Sequence, residues 1–346
     1  MNGVLIIDKP SGMTSHDVVN RVRRILGQKA VGHLGTLDPM ATGVLPLVVG
    51  NMTRLAQFYA QSEKSYEGVI RFGFATDTYD AEGEPTGTAE DVQVSLEQLH
   101  ESAKAFRGVI EQMPPPFSAK KIQGVPAYKL ARKKKEVELE PVPVEIKEFE
   151  ILGVHDEVAS ATTVPVEKEE SRAGAPALHE RAHEDTHEHT REHTKDEEAG
   201  KGSRASFRAR VASGTYMRSV AHDMGRMLGC GAHLAALRRT QVAEFAITDA
   251  CTLEQLAEAA KDAREEDLFV HPRKLLPHMP GVTADEESAS RIRAGRPVNL
   301  PEMSRARLVK VYYGQRELIA IATRVAGTLF HAGIVFAAPA PQIVTH

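Results

Sequence analysis

The order of apolar and polar positions divides the first fifty residues into three short elements. Residues 4–7 form an apolar run of strand length, and residues 44–49 form another. Between them, Thr14 or Ser15 is placed to cap a helix, and Gly27 is placed to end it. That helix would bury one stripe of five side chains, namely Val18, Val19, Val22, Ile25 and Leu26.

The middle of the chain continues this alternation of strands and helices. Residues 64–78 and 143–154 carry alternating side chains, many of them aromatic or β-branched, which predicts two strands. Residues 95–108 predict an amphipathic helix with a capping serine and a terminating glycine. We also expect a basic helix over residues 126–135, and a strand followed by a helix that begins at about Tyr216.

A proline-rich connector, residues 271–280, separates this region from the end of the chain. Residues 306–336 then alternate apolar and polar side chains in three segments, which favours a small β-rich domain. We therefore expect one domain over residues 1–270, a second over residues 275–336, and a flexible tail over residues 337–346.

The composition is that of an ordinary soluble protein with room for two domains. The chain has 346 residues, 42% of them hydrophobic, and no tryptophan. No apolar run reaches membrane length, and the apolar N-terminal segment is too short for a signal peptide, so we expect a cytoplasmic protein. Cys230 and Cys251 share neither metal-ligand nor disulfide spacing, and each is interpreted as a small apolar residue.

The net charge of −4 hides an uneven distribution. Residues 155–203 hold 13 Asp and Glu against 6 Lys and Arg, a local charge of −7, so the rest of the chain carries +3. This segment has few large apolar side chains to offset the entropy of ordering, and we expect a disordered insertion. Positive charge is clustered elsewhere, which suits either a phosphate backbone or a solvated surface. The clusters are residues 132–135, then Arg204, Arg208 and Arg210, then Arg238 and Arg239.

The insertion also carries histidines at a spacing of four residues. His179, His183 and His187 would align on one face of a helix, an arrangement that can bind a transition metal. The acidic neighbours and the lack of a packed scaffold favour a solvated tract with weak sites at most. We therefore predict no metal site.

The stretch GHLGTLDPMATGVL, residues 32–45, surrounds one carboxylate with glycines and a proline. Pro39 restricts the backbone of Asp38, so the stretch predicts an ordered loop. The flanking elements would hold Asp38 rigidly. Considered alone, Asp38 is either a reactive carboxylate or a turn residue that hydrogen-bonds its own backbone.

Six motifs together resemble the TruB family of tRNA pseudouridine synthases. The resemblance covers residues 3 to about 260 apart from the insertion, and the segment that follows resembles the PUA domain of many members. The motifs are DKPSGMTSHD at 8–17, GHLGTLDPMATGVL at 32–45, KSY at 64–66, ATDTYDAEG at 75–83, SGTYMRSVAHDMG at 213–225 and CGAHLAALRRT at 230–240.

The resemblance implies an α+β fold, in which helices flank a mixed, mainly antiparallel sheet and a small PUA-like β-barrel follows. It implies an isomerase that flips the uridine at position 55 of the tRNA T-loop into a pocket and converts it to pseudouridine. Rejoining C5 to C1′ involves no net redox change, so no cofactor is expected. The expected partner is the T-arm of tRNA, with no membrane and no obligate protein partner, and we expect a monomer.

The resemblance assigns the catalytic roles to three residues. Asp38 would be the nucleophile, Arg218 the cation beside it, and Tyr66 the ring that stacks on the uracil. From the residues alone, Arg218 could be a surface arginine and Tyr66 a core aromatic. Five further positions match the family's substrate pocket: His33, Lys9, Tyr216, Leu237 and Asp80.

A second class of function is an RNA-binding protein that helps tRNA to fold without needing chemistry. The two roles can coexist in one protein. The presence of Asp38 and Tyr66 favours the enzyme, because a protein that only binds RNA requires neither.

Overall fold

The computed structural model describes residues 1–116, 121–122, 125–126, 140–155 and 202–336. The strands are β1 (Gly3–Lys9), β2 (Val31–His33), β3 (Thr42–Val49), β4 (Lys64–Phe72), β5 (Gly108–Gln112), β6 (Lys121–Ile122), β7 (Val125–Pro126), β8 (Val142–His155), β9 (Arg204–Val211), β10 (Ala232–Val242), β11 (Phe245–Ala246), β12 (Gly281–Ala284), β13 (Val298–Asn299), β14 (Leu308–Tyr313), β15 (Glu317–Ala326) and β16 (Leu329–Val335). The helices are α1 (Ser15–Ile25), α2 (Ala56–Tyr59), α3 (Leu96–Lys104), α4 (Met217–Leu228), α5 (Leu253–Lys261) and α6 (Glu286–Arg293). Within the described residues, none of the helices combines the length and apolarity that a bilayer crossing requires.

The described part of the chain is organised around a nine-stranded sheet in the order β1-β3-β10-β4-β9-β8-β5, with β2 paired to β3 and β11 to β10. Every pairing in it is antiparallel except that of β3 with β10. The predicted α+β fold with a mixed, mainly antiparallel sheet is therefore confirmed. Strands β8 and β9 pair from His155↔Arg204 onward, so the insertion joins two neighbouring strands.

The parallel contact between β3 and β10 requires a glycine. Gly43 lies beside Arg239 and has a φ of +100°, a region that side chains with a Cβ rarely adopt. A Cβ at Gly43 would lie 2.2 Å from the carbonyl oxygen of Arg239. The glycine of the sequence TG at 42–43 thus brings the loop of Asp38 against β10.

The main hydrophobic core lies between the large sheet and helices α1, α3, α4 and α5. Of the stripe predicted for α1, Val18, Val19 and Val22 are buried, while Ile25 and Leu26 pack against the same core. The predicted cap is also present, because the Thr14 hydroxyl accepts a hydrogen bond from the backbone N–H of Asp17. This packing fixes α1 against the sheet next to the Asp38 loop.

The C-terminal region forms a separate five-stranded sheet in the order β12-β14-β15-β16-β13, which curls around helix α6 and has its own core. A small β-rich unit is thus confirmed, and its curled sheet is consistent with a PUA-like domain. The disorder of the insertion, its histidines and the tail at 337–346 concern residues outside the described ranges, apart from the insertion's end residues His155, Gly202 and Ser203. The predicted basic helix at 126–135 also lies outside them, except for its first residue, Pro126, which belongs to strand β7 instead.

A second hydrophobic cluster joins the two regions. It contains Val4 and Tyr59 from the N-terminal region together with Tyr312 and Phe336 from the C-terminal one. Polar contacts reinforce it, because the Lys310 ammonium donates to the carbonyl oxygens of Leu275 at 2.7 Å and Leu276 at 3.0 Å. We call this cluster the shared core.

One local prediction was wrong. The sequence pattern of residues 233–247 predicts a basic turn followed by a strand, yet Arg238 and Arg239 lie within β10, whose residues run from Ala232 to Val242. Arg239 is also fully buried, so it cannot belong to an exposed cluster of positive charge. Arg239 is buried because its guanidinium binds carbonyl oxygens in and next to the loop of Asp38.

Candidate active site

The loop that carries Asp38 connects β2 to β3 and is attached to α1. The buried Ser15 hydroxyl donates to the Leu37 carbonyl at 3.1 Å, and the Leu37 N–H donates back to the same hydroxyl at 2.8 Å. One side chain therefore satisfies both backbone groups of the residue that precedes Asp38. This is a strong restraint on a loop, because each of these groups would otherwise be buried without a partner.

Arg239 holds the same loop from the opposite side. Its guanidinium donates to the carbonyl oxygens of Val44 at 2.8 Å, Thr36 at 3.1 Å and Gly35 at 3.0 Å. Burial lowers the pKa of Arg239, and a hydrogen bond to the Tyr66 hydroxyl counteracts that shift. The five donors of a guanidinium lie in one plane, so this side chain can set the loop and Tyr66 in a common frame.

Lys9, at the end of β1, is completely buried. Its ammonium donates to the carbonyl oxygens of Pro10 at 2.8 Å, Met13 at 2.5 Å and Pro39 at 3.0 Å. Burial lowers the pKa of Lys9 to about 8. Lys9 thus joins the loop of Asp38 to the motif that follows β1, and it points at backbone rather than at the cavity.

Asp38 faces Arg218, which stands in the first turn of α4. The Arg218 Nη2 donates to Oδ1 of Asp38 at 3.1 Å, and Nε lies 2.9 Å from Oδ2. The arginine side chain is 6% exposed, whereas that of the aspartate is 35% exposed. The pair therefore consists of a buried guanidinium and a carboxylate that is open on its other side.

A second carboxylate shares this guanidinium. Arg218 Nη1 lies 3.4 Å from Oδ2 of Asp80 and donates to the Thr78 carbonyl at 3.1 Å. Asp80 is buried and also accepts hydrogen bonds from the Thr78 hydroxyl at 2.6 Å and the Glu82 N–H at 3.1 Å. Burial raises the pKa of Asp80, although Thr78 and Arg218 oppose the shift. Asp80 and Thr78 therefore hold one end of the Arg218 guanidinium, while its other end contacts Asp38.

The elements that carry Asp80 and Arg218 also contact each other directly. Tyr79 has a φ of 66°, which is unusual for a residue with a side chain, and its ring stacks on that of His222 with centroids 3.7 Å apart. His222 lies one helical turn beyond Arg218 in α4. A strained turn residue thus braces the turn against the helix.

The start of α4 has no side-chain cap of its own, and Gln112 instead binds the backbone of Tyr216, the residue that precedes the helix. The Gln112 amide nitrogen donates to the Tyr216 carbonyl at 3.1 Å, and its oxygen accepts from the Tyr216 N–H at 2.8 Å. The Ser219 hydroxyl donates to the Met113 carbonyl at 2.7 Å. These bonds tie the helix that carries Arg218 to the end of β5.

A cavity of about 230 Å³ opens beside the Asp38–Arg218 pair. Among the residues predicted from the sequence, Asp38, Tyr66, Arg218, Tyr216 and Leu237 line it. The full lining is Gly35, Thr36, Leu37, Asp38, Lys64, Tyr66, Ser213, Gly214, Thr215, Tyr216, Met217, Arg218, Leu237 and Arg239.

The other three predicted residues are placed around the cavity rather than in its wall. Asp80 contacts Arg218 from behind, and Lys9 binds the backbone of the Asp38 loop. His33 ends β2 opposite Leu47, and burial lowers its pKa.

Sequence reasoning did not assign four of the residues that build the site. Ser15, Lys64, Gln112 and Arg239 each contact the cavity or the elements that form it. Lys64 and Tyr66 are two positions apart in the KSY motif, so strand alternation could have placed both on the face of the cavity. Neither interpretation of the basic pair, a phosphate-binding surface or a solvated one, fits Arg239, which is buried and donates to backbone carbonyl oxygens.

The remaining basic clusters of the described chain are partly engaged with acidic neighbours. Arg210 pairs with Glu63 at 3.2 Å and with Glu148 at 2.6 Å, and Arg208 lies 3.4 Å from Glu67. No group of three or more His, Cys, Asp or Glu side chains within the described ranges is arranged to hold a metal ion.

Comparison with solved structures identifies the general fold. The chain superposes on the crystal structure of a Cbf5-Nop10-Gar1 complex with a TM-score of 0.62 and 22% identity, covering 97% of this chain and 85% of that one. A structure of an H/ACA RNP bound to a substrate RNA containing 2′-deoxyuridine gives the same TM-score at 21% identity, over 97% of this chain and 86% of that one. At this level of identity the likeness concerns the fold alone.

Sequence comparison gives the family. Residues 23–171 match the model of the TruB family pseudouridylate synthase N-terminal domain, and residues 218–278 match the tRNA pseudouridylate synthase B C-terminal domain. The chain is 44% identical to tRNA pseudouridine synthase B of Solibacter usitatus, over 97% of this chain and all of the relative. It is 35% identical to the protein of the same name from Aquifex aeolicus, over 90% of this chain and 92% of the relative. The chain therefore belongs to the TruB family of pseudouridylate synthases, and the predicted resemblance is confirmed.

Proposed function

We propose that this chain isomerises uridine 55 in the T-loop of tRNA to pseudouridine, with Asp38 as the nucleophile. The relatives named tRNA pseudouridine synthase B support the reaction and the tRNA substrate. The single observation that supports the mechanism is the geometry of Asp38, a carboxylate with one side bound by Arg218 and the other facing a cavity.

The reaction requires a group that attacks and then leaves. The C1′–N1 bond of uridine breaks, the uracil turns, and a bond forms between C5 and C1′, while the proton on C5 is lost and one is returned to N1. An ionised carboxylate can form a transient adduct and leave again without any external electron donor or acceptor. Asp38 is half-exposed to the cavity and can supply that carboxylate.

Arg218 keeps the carboxylate both charged and oriented. A carboxylate that becomes enclosed by a substrate loses hydration, which favours its protonated form unless a cation lies beside it. The two-point contact also fixes the plane of the carboxylate, as a single ammonium could not. Asp80 and Thr78 in turn hold the guanidinium, so we assign Asp80 a positioning role.

The cavity suits a flipped pyrimidine base. Tyr66 offers a ring for stacking, and Leu237 and Tyr216 supply apolar surface beside it. His33 and Lys9 lie outside the wall of the cavity. We propose that Lys9 holds the loop of Asp38 in place and that His33 contacts the edge of the bound RNA.

The proposal extends to the organisation of the whole protein. We propose that residues 1–270 form the catalytic domain and that residues 275–336 form a PUA-like domain that binds RNA. The protein would act as a monomer on the T-arm of cytoplasmic tRNA, with the acidic insertion in solvent.

The experiment is to replace the nucleophile with its amide. Asp38→Asn should abolish the pseudouridine mapped at position 55 of an unmodified tRNA, while tRNA affinity stays within about threefold, because the amide keeps the shape and loses the charge. Asp91→Asn, at an exposed position, is the matched control and should retain full activity. Turnover of the Asp38 variant near that of the control would overturn the assignment. RNA binding with no pseudouridine in either protein would favour the folding helper instead.

A further inference from the structure

Lys64 lies in the wall of the cavity and has no role in the mechanism above. It begins β4, two residues before Tyr66, and both side chains point to the cavity because they share a face of the strand. Its Cε is also 3.7 Å from the position that a Cβ would take at Gly35, so the side chain runs beside the loop of Asp38. The ammonium is therefore within the site.

Lys64 differs from the other two cations of the cavity in the groups that contact its charge. Arg218 faces two carboxylates, and Arg239 is fully buried among carbonyl oxygens and the Tyr66 hydroxyl. Lys64 donates to the Ser62 carbonyl at 2.6 Å, and within the described ranges it forms no ion pair. An ammonium has three donors, so two remain for a ligand.

The surroundings make this cation costly to the free protein. Burial and the charge of Arg239 lower the pKa of Lys64 to about 8. A half-buried positive charge next to another positive charge is unfavourable unless an anion arrives. A negatively charged part of the substrate would therefore stabilise the Lys64 ammonium in the cavity wall.

We propose that Lys64 binds a backbone phosphate next to the flipped nucleotide and so holds the substrate at the cavity. This inference rests on the proposed function. A nucleotide whose base enters the cavity brings its two flanking phosphates to the cavity mouth, and the phosphates are the only anionic groups that the nucleotide carries. Lys64 is then a substrate-binding residue, which contacts the RNA backbone but not the reacting atoms.

The first test compares Lys64→Gln with Lys64→Arg on a T-arm RNA. The glutamine variant should raise KM about tenfold and leave kcat within about threefold, because one charged contact is lost in binding. It should also reduce the slope of log affinity against log salt by about 0.7 to 0.9. The arginine variant keeps the charge and should restore most of the affinity, which separates the lost contact from misfolding. Lys29→Gln, at an exposed position away from the cavity, is the matched control.

The second test removes the partner instead of the lysine. T-arm RNAs with one neutral methylphosphonate, placed 5′ or 3′ of the target uridine, are measured with the unaltered chain and with Lys64→Gln. One of the two methylphosphonate RNAs should bind the unaltered chain about tenfold more weakly than the all-phosphate RNA does. The Lys64→Gln variant should bind that same RNA and the all-phosphate RNA equally well. Losses that multiply at both positions would show that Lys64 does not contact a flanking phosphate.

A different role for Lys64 would give a different pattern. If its neutral amine removed a proton from C5, Lys64→Gln would lower kcat rather than raise KM, and the kcat of the unaltered chain would rise as pH increases through 8. A phosphate ligand predicts the opposite, with KM rising above pH 8 as the ammonium loses its proton. The other charged or titratable groups lining this cavity are Asp38, Tyr66, Tyr216, Arg218 and Arg239. Activity of the unaltered chain on all-phosphate RNA is the internal control, since its absence would refute the proposed function and not this inference.

Discussion

Replacement of Arg218 by lysine tests whether the shape of the guanidinium matters in addition to its charge. The arginine contacts both oxygens of Asp38 through two different nitrogens and reaches Thr78 and Asp80 with the third. A lysine has a single nitrogen, which cannot contact all of these groups at once. Charge is retained in this variant, so any loss reports on orientation.

The magnitude follows from the contacts that are lost. A hydrogen bond to a charged group contributes about 1.5–3 kcal/mol. If one of the two contacts to Asp38 is lost in the transition state, kcat should fall between about tenfold and about 150-fold, since each 1.36 kcal/mol changes a rate tenfold. Asp80 also loses its contact with the Arg218 guanidinium, so the free energy of unfolding should decrease by about 1–3 kcal/mol.

The assay is single-turnover formation of pseudouridine with enzyme in excess, together with urea unfolding of the same preparations. Arg226→Lys provides the control, because Arg226 lies on the same helix with 72% of its side chain exposed and should tolerate the change. A rate for Arg218→Lys within about threefold of the control would refute the argument that a two-point contact orients Asp38.

Two further predictions follow from the loop and from the insertion. Ser15→Ala should lower the free energy of unfolding by about 1–3 kcal/mol and should reduce kcat, because the N–H and carbonyl of Leu37 lose their shared partner. Urea unfolding checks the first effect, and an unchanged kcat in a destabilised variant would separate the loop from catalysis. Replacing residues 156–201 with a short Gly-Ser turn should preserve folding, since it joins the paired strands β8 and β9, and should leave activity equal or slightly higher at low salt. A series of salt concentrations checks this, because the difference should fade as ions screen the charge of −7, and a folded but inactive deletion would contradict it.

The parts of the site that could be predicted are those carried by contiguous motifs. Asp38 lies in a loop whose glycines and proline mark it as ordered, and the motif around Arg218 matches the family directly. The alternation of apolar residues also gave the buried face of α1 correctly. In each case the information is local, since the side chains that matter are separated by only a few positions in the chain.

The residues that were missed depend on contacts across the chain. Arg239 looks like half of a basic surface pair in the sequence, but its three carbonyl partners are about 200 residues away. Gln112 is an isolated polar residue near the end of a strand, and only the folded chain brings it to the start of α4. A sequence pattern cannot distinguish a buried arginine that binds carbonyl oxygens from an exposed one, because the difference lies in its partners.

The shared core has a consequence for how the protein would discriminate between RNA substrates. Tyr59 and Phe336 are buried in one cluster, and Arg54 and Asn51 donate to the carbonyl oxygens of Val335 and Phe336. The packing between the two regions therefore forms when the protein folds, which predicts one spacing between the cavity and the C-terminal sheet. If RNA contacts both regions, as proposed, we expect binding to favour one spacing between the two contacts, because little entropy would be lost in arranging the regions.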